Sequence, residues 1–465
     1  MRYKLIIACS AIVCCSLLPA TTLHAQLRIA PDRYRIEFTD KNHSAFSVHY
    51  PHLFLSQQAL QRRARQGIEV THDDLPVSAV YVDSLKRMGF EVLNTSRWFN
   101  SATVRCSPED LEKLQNVDFI KRTENVKKTE NQETEPELEH LYSDDDEDDF
   151  ELQFDEASSY YGGAAAQTGM LNGQALHQRG FRGKGMLIAV IDGGFFRVNE
   201  ISGFDSLHVS GRLRGFKNLT PDLENPLGNH SHGTNVLSIL AAWLPEQMVG
   251  SAPEADYLLL RSEEIGHEYI VEEDNWIVAV EYADSAGVDI ITSSLGYTTF
   301  DDRSQNHSRQ DLDGRTIRTS RAAAMAAARG IIVCLSAGND GDAYWRTVSV
   351  PADADSVITV GSVNRNGKRS SFSSTGYTAD NRIKPDLMAM GERTAYQSVM
   401  GFINTGNGTS YSTPLLAGFI ACLWQAFPEK TNMEIIEMVK SSASHYKSPN
   451  ALYGYGIPDF FKLLE

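Results

Sequence analysis

The sequence predicts an α/β protein, with a parallel β-sheet covered by helices on both faces and a smaller α+β unit in front of it. Beyond residue 157, short apolar runs alternate with longer segments whose apolar residues repeat at helical spacing, the pattern of strands joined by crossover helices. The 465 residues are 42% hydrophobic and 22% charged, a composition typical of folded globular chains. Wholesale disorder, a collagen and a polytopic membrane protein are therefore excluded.

The first 25 residues are predicted to be a secretory signal peptide. Arg2 and Lys4 precede the apolar run Leu5–Leu18, and Leu23-His24-Ala25 offers a small-residue cleavage site. The run has 14 residues, fewer than the roughly 20 that span a bilayer, which favours removal after Ala25 over a membrane anchor. A lipid on Cys14 or Cys15 is a weaker alternative, because Val13 and Cys14 are poor residues to precede a lipidated cysteine. We expect export to the periplasm or the cell exterior, without stable membrane insertion afterwards.

Residues 26–128 are predicted to form the small unit. A helix is expected at Val77–Met88, where Gly89 stops it, and short strands are expected between Val92 and Val104. Ser107 before Pro108 is a typical helix start, predicting a second helix through Leu114. Val117–Ile120 is the expected closing strand.

The net charge of −17 is concentrated between these two parts. Residues 129–156 hold 14 acidic and no basic side chains, whereas residues 1–25, 26–128 and 157–465 have charges of +2, +3 and −8. Because like charges repel and bury little apolar area, we expect residues 129–156 to be a flexible linker. A calcium site at Asp144–Asp149 is the alternative, but this block lacks the turn-forming glycine of such sites. So acidic a chain argues against a nucleic acid partner.

Residues 157–465 are predicted to form the main domain. Their apolar runs are the expected strands Met186–Ile191, Tyr257–Leu260, Val288–Ile291, Ile331–Leu335 and Val357–Val360, and the expected helices include Thr234–Trp243, Trp276–Ser285 and Ser320–Ala328. Two of the three cysteines beyond the signal, Cys334 and Cys422, lie in apolar runs and are expected to be buried rather than reactive. Three cysteines, Cys106 included, are too few for a disulfide scaffold. Sites in such sheets form beyond the carboxyl ends of the strands.

Asp192 stands at the end of the first predicted strand and is followed by Gly193 and Gly194. Taken alone, this pattern is more typical of a turn than of a catalytic acid. A dinucleotide site is disfavoured, because the nearby glycines do not form G-x-G-x-x-G between a strand and a helix. The chain also lacks a phosphate-binding loop, which argues against a nucleotide-binding protein.

His230 and His232 head the next predicted helix. They are a possible start of a zinc site, but such a site needs three or four ligands, and the sequence has no further His or Cys cluster. His232 as a general base is the better interpretation. A lone histidine remains a weak signal.

Ser410 follows a glycine-rich loop and precedes the apolar helix Leu415–Trp424. A serine at this place is often only a helix cap. The helix dipole and its free amides would also stabilise negative charge beside the serine oxygen. Asn339, after the predicted strand Ile331–Leu335, places a side-chain amide at another strand end.

Together these segments resemble the subtilisin-like serine peptidases. The resemblance covers about residues 160–465, and its four motifs occur in the order of that family: Val190-Ile191-Asp192-Gly193-Gly194, Ser231-His232-Gly233-Thr234, Ala337-Gly338-Asn339 and Gly408-Thr409-Ser410-Tyr411-Ser412-Thr413-Pro414. Ser293-Ser294-Leu295-Gly296 and Gly250-Ser251-Ala252-Pro253 are further similarities. Any one motif is weak, whereas four in order are a strong signal.

The resemblance implies a three-layer subtilisin-like fold and a serine endopeptidase that needs no cofactor or metal. It assigns Ser410 as nucleophile, His232 as general base and Asp192 as the group that orients the imidazole. Asn339 and the Ser410 backbone N–H would bind the oxyanion. Polypeptide substrates would contact two segments, with a pocket floor near Ser349: Ser294, Leu295 and Gly296, and Ser336, Ala337 and Gly338. A broad preference for uncharged or apolar side chains is expected.

Three places depart from the family pattern. Gly193 stands where the family usually has Ser or Thr, and Ala242–Met248 lacks the Asn-rich loop that binds structural calcium. We therefore do not expect that calcium. The insert Thr298–Arg318 has no counterpart in the family and is expected to be a surface loop with a turn.

The family also explains the small unit, since many of its members are made with a propeptide that assists folding and blocks the cleft. Residues 26–128 are therefore the expected propeptide and intramolecular inhibitor, and residues 157–465 the peptidase domain. The chain would be a zymogen that is cut in or near residues 129–160. A subtilisin fold that binds without cutting is the alternative, and the intact set Asp192, His232, Asn339 and Ser410 argues against it.

Overall fold

The computed structural model describes residues 33–127, 156–220, 227–264 and 266–465. The predicted signal peptide and almost all of the predicted acidic linker lie outside these residues. Within the described part of the chain, no helix is both long and apolar enough to cross a bilayer.

Residues 33–127, here called the N-terminal unit, form a four-stranded antiparallel sheet in the order β2-β3-β1-β4 with helices packed on it. Its elements in chain order are β1 (Arg33–Phe38), α1 (Gln57–Arg65), α2 (Ala79–Arg87), β2 (Glu91–Ser96), β3 (Ser101–Arg105), α3 (Pro108–Leu111) and β4 (Ile120–Lys127). Tyr81 and Leu85 of α2 pack on the apolar face of β1 and β3, which forms the core of the unit. This arrangement confirms a small α+β unit.

The local signals in this unit were correct at the helix ends and wrong at the last strand. Gly89 has a φ of +95°, a conformation that stops α2 as predicted. The Ser107 hydroxyl accepts a hydrogen bond from the Asp110 N–H (3.1 Å) and caps α3. The predicted strand Val117–Ile120 is a turn, because the Ile120 N–H donates to the Val117 carbonyl, and β4 begins only at Ile120.

Residues 156–465 form the main domain. Its first elements are α4 (Glu156–Tyr161), α5 (Ala165–Met170), α6 (Gln174–Gln178), β5 (Leu187–Asp192), α7 (Asp205–Val209), β6 (Leu213–Asn218), α8 (His232–Ala241), β7 (Trp243–Leu244), β8 (Met248–Val249), β9 (Asp256–Arg261), α9 (Val271–Ala286) and β10 (Ile290–Ser293). They are followed by α10 (Arg318–Ala327), β11 (Ile332–Ser336), β12 (Ile358–Val363), β13 (Gly376–Tyr377), β14 (Ile383–Lys384), β15 (Leu387–Met390), β16 (Thr394–Gln397), β17 (Ile403–Gly406), α11 (Thr409–Ala426) and α12 (Asn432–Ser442).

A seven-stranded parallel sheet in the order β15-β12-β11-β10-β5-β9-β6 is the centre of the main domain. Every residue of β5 is buried. Ile188 and Val190 pack in a core with α8 and α11, while Ala189 and Ile191 pack in a second core with α9 and α10. Helices therefore cover both faces of the sheet, which confirms the predicted three-layer α/β architecture.

The five predicted strands are β5, β9, β10, β11 and β12, and the predicted helices are α8, α9 and α10. The two edge strands, β6 and β15, were not predicted. β6 is half-exposed and carries polar residues, and β15 has only four residues, so neither shows a long apolar run. Cys334 and Cys422 are fully buried free thiols, as predicted.

The N-terminal unit packs against α9 and α10, and this interface buries charge. Asp284 of α9 is fully buried and accepts hydrogen bonds from three guanidinium groups of the N-terminal unit, those of Arg62, Arg63 and Arg97. Arg62 also donates to the Val288 carbonyl (2.5 Å). The unit is therefore joined to the main domain by buried ion pairs as well as by apolar contact.

The insert Thr298–Arg318 is more ordered than the sequence suggested. It contains two 3-10 turns, Arg303–Gln305 and Arg309–Asp311, and Leu312 and Ile317 are buried in a small cluster with Val350. Most of the insert is exposed or partly exposed and contains turns, as expected of a surface loop, while Leu312 and Ile317 anchor its end on a buried partner far along the chain.

A buried histidine lies between the first helices of the main domain and α11. His177 donates from Nε2 to the Ser251 carbonyl (3.0 Å), so its Nδ1 accepts from the Tyr161 hydroxyl (2.8 Å). Ser251 in turn donates to the Pro414 carbonyl of α11 (3.3 Å). Burial lowers the pKa of His177 to about 4.

Candidate active site

Asp192 and His232 are hydrogen-bonded to each other at the carboxyl end of the sheet. Asp192 is the last residue of β5 and is fully buried, and its carboxylate oxygens lie 2.9 and 3.0 Å from His232 Nδ1. The Gly193 N–H donates to Asp192 Oδ1 (2.8 Å). Since a carboxylate only accepts, Nδ1 carries the proton, and Nε2 is the basic nitrogen of the neutral ring.

Gly193 lacks the hydroxyl that the family usually has at this place, although a β-carbon there would make only ordinary van der Waals contacts. A β-carbon at Gly193 would lie 3.5 Å from His230 Nδ1 and 3.7 Å from Glu263 Cβ. The Gly193 carbonyl accepts from Arg261 Nε (2.9 Å). Asp192 is therefore supported by backbone N–H and a fixed turn, not by a neighbouring hydroxyl.

Ser410 is the second residue of α11 and is tied to the end of β10. Its Oγ lies 3.5 Å from the Ser294 carbonyl oxygen, and Ser294 Oγ donates to the Ser410 carbonyl (3.0 Å). The ring of Tyr411, the next residue, has its centroid 6.4 Å from that of His232. The start of α11 therefore lies beside the start of α8.

Asn339 places an amide beside Ser410. Its Oδ1 accepts from the backbone N–H and the hydroxyl of Thr409, at 2.9 and 3.0 Å, which fixes the side chain and leaves Nδ2 as its donor. A β-carbon at Gly408 would lie 3.7 Å from Asn339 Nδ2 and 3.6 Å from the Ser410 nitrogen. Two N–H donors therefore lie near one point next to the Ser410 side chain.

The two predicted substrate segments lie at the ends of the neighbouring strands β10 and β11. A β-carbon at Gly296 would lie 2.6 Å from Ser349 Cβ, and one at Gly338 would collide with Ser349 Oγ. Ser349 therefore lies against both segments, and both glycines are needed for this close approach. Gly296 is exposed and Gly338 partly so, whereas Ser336 and Ala337 are buried beneath the cleft.

The sequence did not predict an aromatic stack that includes Tyr411, the residue directly after Ser410. The rings of Tyr411 and Tyr396 are parallel, with centroids 5.3 Å apart, and Tyr396 lies in the short hairpin β16–β17 that leads into α11. A side chain at Gly406 would collide with both rings. The only sequence signal was that Tyr411 follows the nucleophile candidate directly.

Three glutamates lie on the same edge of the sheet, after β9. Carboxylate oxygens of Glu263, Glu268 and Glu272 lie within 4.8 Å of one another. Burial raises the pKa of Glu263 to about 7 and that of Glu268 to about 9. Glu272 accepts two backbone N–H bonds, and Glu263 accepts from the Tyr297 and Ser262 hydroxyls at 2.7 Å. Because their own chain supplies these partners, the carboxylates do not by themselves indicate a metal site.

The N-terminal unit ends close to this edge. Val126 near the end of β4 is fully buried against Tyr269 and Val271, which lie between Glu268 and Glu272. The neighbouring Asn125 carbonyl accepts from Gln305 Nε2 of the insert (3.0 Å). The last described residues of the unit are thus anchored to the segment that follows β9.

Comparison with known proteins identifies both parts of the chain. The family model described as the subtilase family matches residues 183–456, and the model of a peptidase S8 propeptide domain of Bacteroidota matches residues 33–139. Subtilisin E of Bacillus subtilis is 32% identical over 290 residues, which cover 61% of this chain and 66% of that protein. The chain thus spans slightly less than two thirds of Subtilisin E.

Two further proteins extend the comparison. Subtilisin of Bacillus pumilus is 32% identical over 288 residues, which cover 61% of this chain and 92% of that protein. The crystal structure of the epidermin leader peptide processing serine protease of Staphylococcus aureus matches with a TM-score of 0.60 and 18% identity, and covers 94% of this chain and 98% of that one. That likeness shows a shared fold. Since the subtilase model matches more than half of the residues, the chain belongs to the subtilase family.

Proposed function

We propose that this chain is an exported serine endopeptidase, made as a zymogen, that acts through Asp192, His232 and Ser410. The observation that supports this most strongly is the hydrogen bond between His232 Nδ1 and the buried Asp192 carboxylate (2.9 Å), beside the helix whose second residue is Ser410. This bond selects the tautomer in which the other ring nitrogen accepts a proton. A serine at the start of the adjacent helix is the group that it would activate.

The reaction would proceed in two halves. Ser410 Oγ attacks the carbonyl carbon of the scissile peptide bond while its proton passes to His232 Nε2, and Asp192 stabilises the resulting imidazolium. His232 then gives that proton to the leaving amine, which departs and leaves an acyl ester on Ser410. Water, deprotonated by His232, attacks the ester, and Ser410 recovers its proton. The His232 side chain therefore carries every proton that is transferred during the reaction.

The oxyanion of each tetrahedral intermediate would be bound by Asn339 Nδ2 and the Ser410 backbone N–H. Thr409 fixes the orientation of the Asn339 amide through two hydrogen bonds, so the donor does not need to reorganise during the reaction. Loss of a comparable side-chain donor costs about 3 to 4 kcal/mol of transition-state stabilisation. The start of α11 adds the positive end of the helix dipole.

Polypeptide substrates would bind in extended form along Ser294, Leu295 and Gly296. The primary pocket would lie between this segment and Gly338, above Ser349, with Ser336 and Ala337 supporting it from beneath the surface. Its floor offers a hydroxyl group and no charge. We therefore expect the enzyme to accept uncharged or apolar side chains before the scissile bond.

Residues 26–128 would be the propeptide and inhibitor, residues 129–156 its acidic linker, and residues 157–465 the mature enzyme. The described part of the propeptide covers α9 and α10 and ends at Val126, next to the segment after β9. Cleavage in or near residues 129–160 would release it. Residues 1–25 would direct the chain through the secretory pathway, to the periplasm or the cell exterior.

A fluorophosphonate probe on the full chain tests this function. Wild-type protein and Ser410→Ala are produced in a host without other proteases, and labelling and chain length are followed together. We expect wild-type protein to be labelled on Ser410 and to lose its N-terminal unit, and Ser410→Ala to stay unlabelled and intact. Absence of label on folded, matured wild-type protein would contradict the proposal and favour a binding role.

A further inference from the structure

The insert Thr298–Arg318 contacts the loop that leads to the floor of the primary pocket. Arg309 of the insert donates from Nη2 to the carbonyl oxygens of Tyr344 (2.6 Å) and Trp345 (2.5 Å). Its guanidinium carbon also lies 5.7 Å and 6.0 Å from the ring centroids of the same two residues. One side chain thus contacts two successive residues through both their backbone and their rings.

These two residues belong to the segment 340–349, here called the pocket loop. It begins directly after Asn339 and ends at Ser349. The N–H groups of Ala343 and Arg346 both donate to the Asp340 carbonyl (3.0 Å), which closes the base of the loop. Tyr344 at the tip is 95% exposed. Arg309 therefore binds the loop near its tip through the carbonyl groups of Tyr344 and Trp345.

The insert also supports the end of the pocket loop from below. Leu312 and Ile317 are buried against Val350, and Trp345 packs on the same cluster. Val350 exchanges backbone hydrogen bonds with Tyr297, at 2.8 and 3.2 Å, directly beyond the substrate segment that ends at Gly296. The position of Ser349 is therefore set by residues that rest on the insert.

We propose that Arg309 is a positioning residue for the primary pocket, which it shapes by fixing the pocket loop. The proposal rests on the peptidase function given above. A guanidinium suits this place because its planar group donates several hydrogen bonds and stacks on aromatic rings, whereas an ammonium is a compact, strongly hydrated charge. A large side chain before the scissile bond would reach the pocket floor at Ser349, where the pocket loop ends, and alanine would not reach it.

The test compares two substrates that differ only before the scissile bond, a peptide anilide with phenylalanine there and its alanine counterpart. The variants are Arg309→Ala, Arg309→Lys as the conservative change, and Arg303→Ala as the control. Arg303 is exposed in the same insert, and its side chain makes no ion pair among the described residues. All are made as the full chain, and kcat and KM are measured separately after maturation.

We expect Arg309→Ala to raise KM for the phenylalanine substrate by up to about tenfold, because a pocket loop without these hydrogen bonds holds the pocket floor less firmly, with kcat changed by less than about twofold. The alanine substrate should be cleaved as by the wild-type enzyme. Arg309→Lys should recover part of the loss, because one donor remains, and Arg303→Ala should match wild type.

Two outcomes would overturn the inference alone. In the first, Arg309→Ala cleaves both substrates with unchanged constants; in the second, both lose activity equally, as a general structural defect would cause. The fluorophosphonate labelling rate of Ser410 separates these outcomes from failure of the proposed function. If wild-type protein is neither labelled nor active on any substrate, the peptidase proposal fails and the inference fails with it.

Discussion

Two of the buried carboxylates in this molecule lie in different regions and have different partners. Asp192 is paired with a single imidazole and a backbone N–H, all within the main domain. Asp284 receives three guanidinium groups, and all three belong to the N-terminal unit. The first pair is complete in the main domain alone. The second cluster exists only while the N-terminal unit is bound, so it serves docking, whereas the first pair would serve the proposed chemistry.

The largest effect is expected from Asp192→Asn. An amide at this position would donate to His232 Nδ1 and impose the wrong tautomer, and we expect kcat for a peptide anilide to fall about 10⁴-fold. Both proteins should have their N-terminal unit removed by an unrelated, separable protease before kcat is measured. Asp256→Asn, which removes only a carboxylate paired with the exposed Arg214, is the control and should keep wild-type kcat. A loss below tenfold in Asp192→Asn would show that the pair is structural.

The next effect concerns the interface. In the uncut Ser410→Ala full chain, we expect Asp284→Asn to lower the free energy of unfolding by about 3 to 5 kcal/mol, because buried guanidinium groups lose their charged partner. Urea denaturation measures this difference. Asp256→Asn is again the control, since an ion pair with an exposed arginine contributes about 1 kcal/mol or less. Equal effects of the two changes would contradict the view that the N-terminal unit is docked by charge.

The smallest effect comes from a third buried group, His177, which needs neither substrate nor the N-terminal unit. Burial lowers its pKa from 6.5 to about 4, so the unfolded chain binds the proton more tightly. The neutral, buried His177 contributes fully to the free energy of unfolding above pH 6.5, and this contribution is lost as the pH falls towards 4. We expect the free energy of unfolding to fall by about 2 kcal/mol between pH 7 and pH 5, as measured by urea denaturation. His177→Gln should lose this part of the pH dependence, and an unchanged slope would exclude the assignment.

The sequence predicted the central sheet well because its middle strands are buried on both faces and show unbroken apolar runs. β1 escaped prediction for the opposite reason. It carries Arg33, Arg35 and Glu37, yet its arginines are buried, because Arg35 pairs with Asp274 of α9 (2.8 Å). A polar residue that is buried by a distant partner cannot be distinguished from a surface residue by local pattern.

The residues of the candidate site also fall into two groups, those visible in local sequence patterns and those that depend on contacts between distant segments. Asp192, His232, Asn339 and Ser410 lie in short motifs whose spacing is visible in the chain, and the structure brings these segments to one edge of the sheet. Ser349 was expected at the pocket floor, whereas Tyr396 and Arg309 became visible only through contacts between segments far apart in sequence. Sequence motifs therefore indicated the chemistry, while the shape of the cleft required the fold.

The hydrogen bond between Tyr161 and His177 sets a limit on where the chain can be trimmed. Tyr161 is only 4% exposed and packs next to His177. His177 donates to the Ser251 carbonyl, and the Ser251 hydroxyl donates to the Pro414 carbonyl of α11. A protease that removed residues up to and including Tyr161 would expose the buried His177 to solvent, directly under the helix that bears Ser410. The new amino terminus of a durable enzyme should therefore precede Tyr161, however many cuts the linker receives.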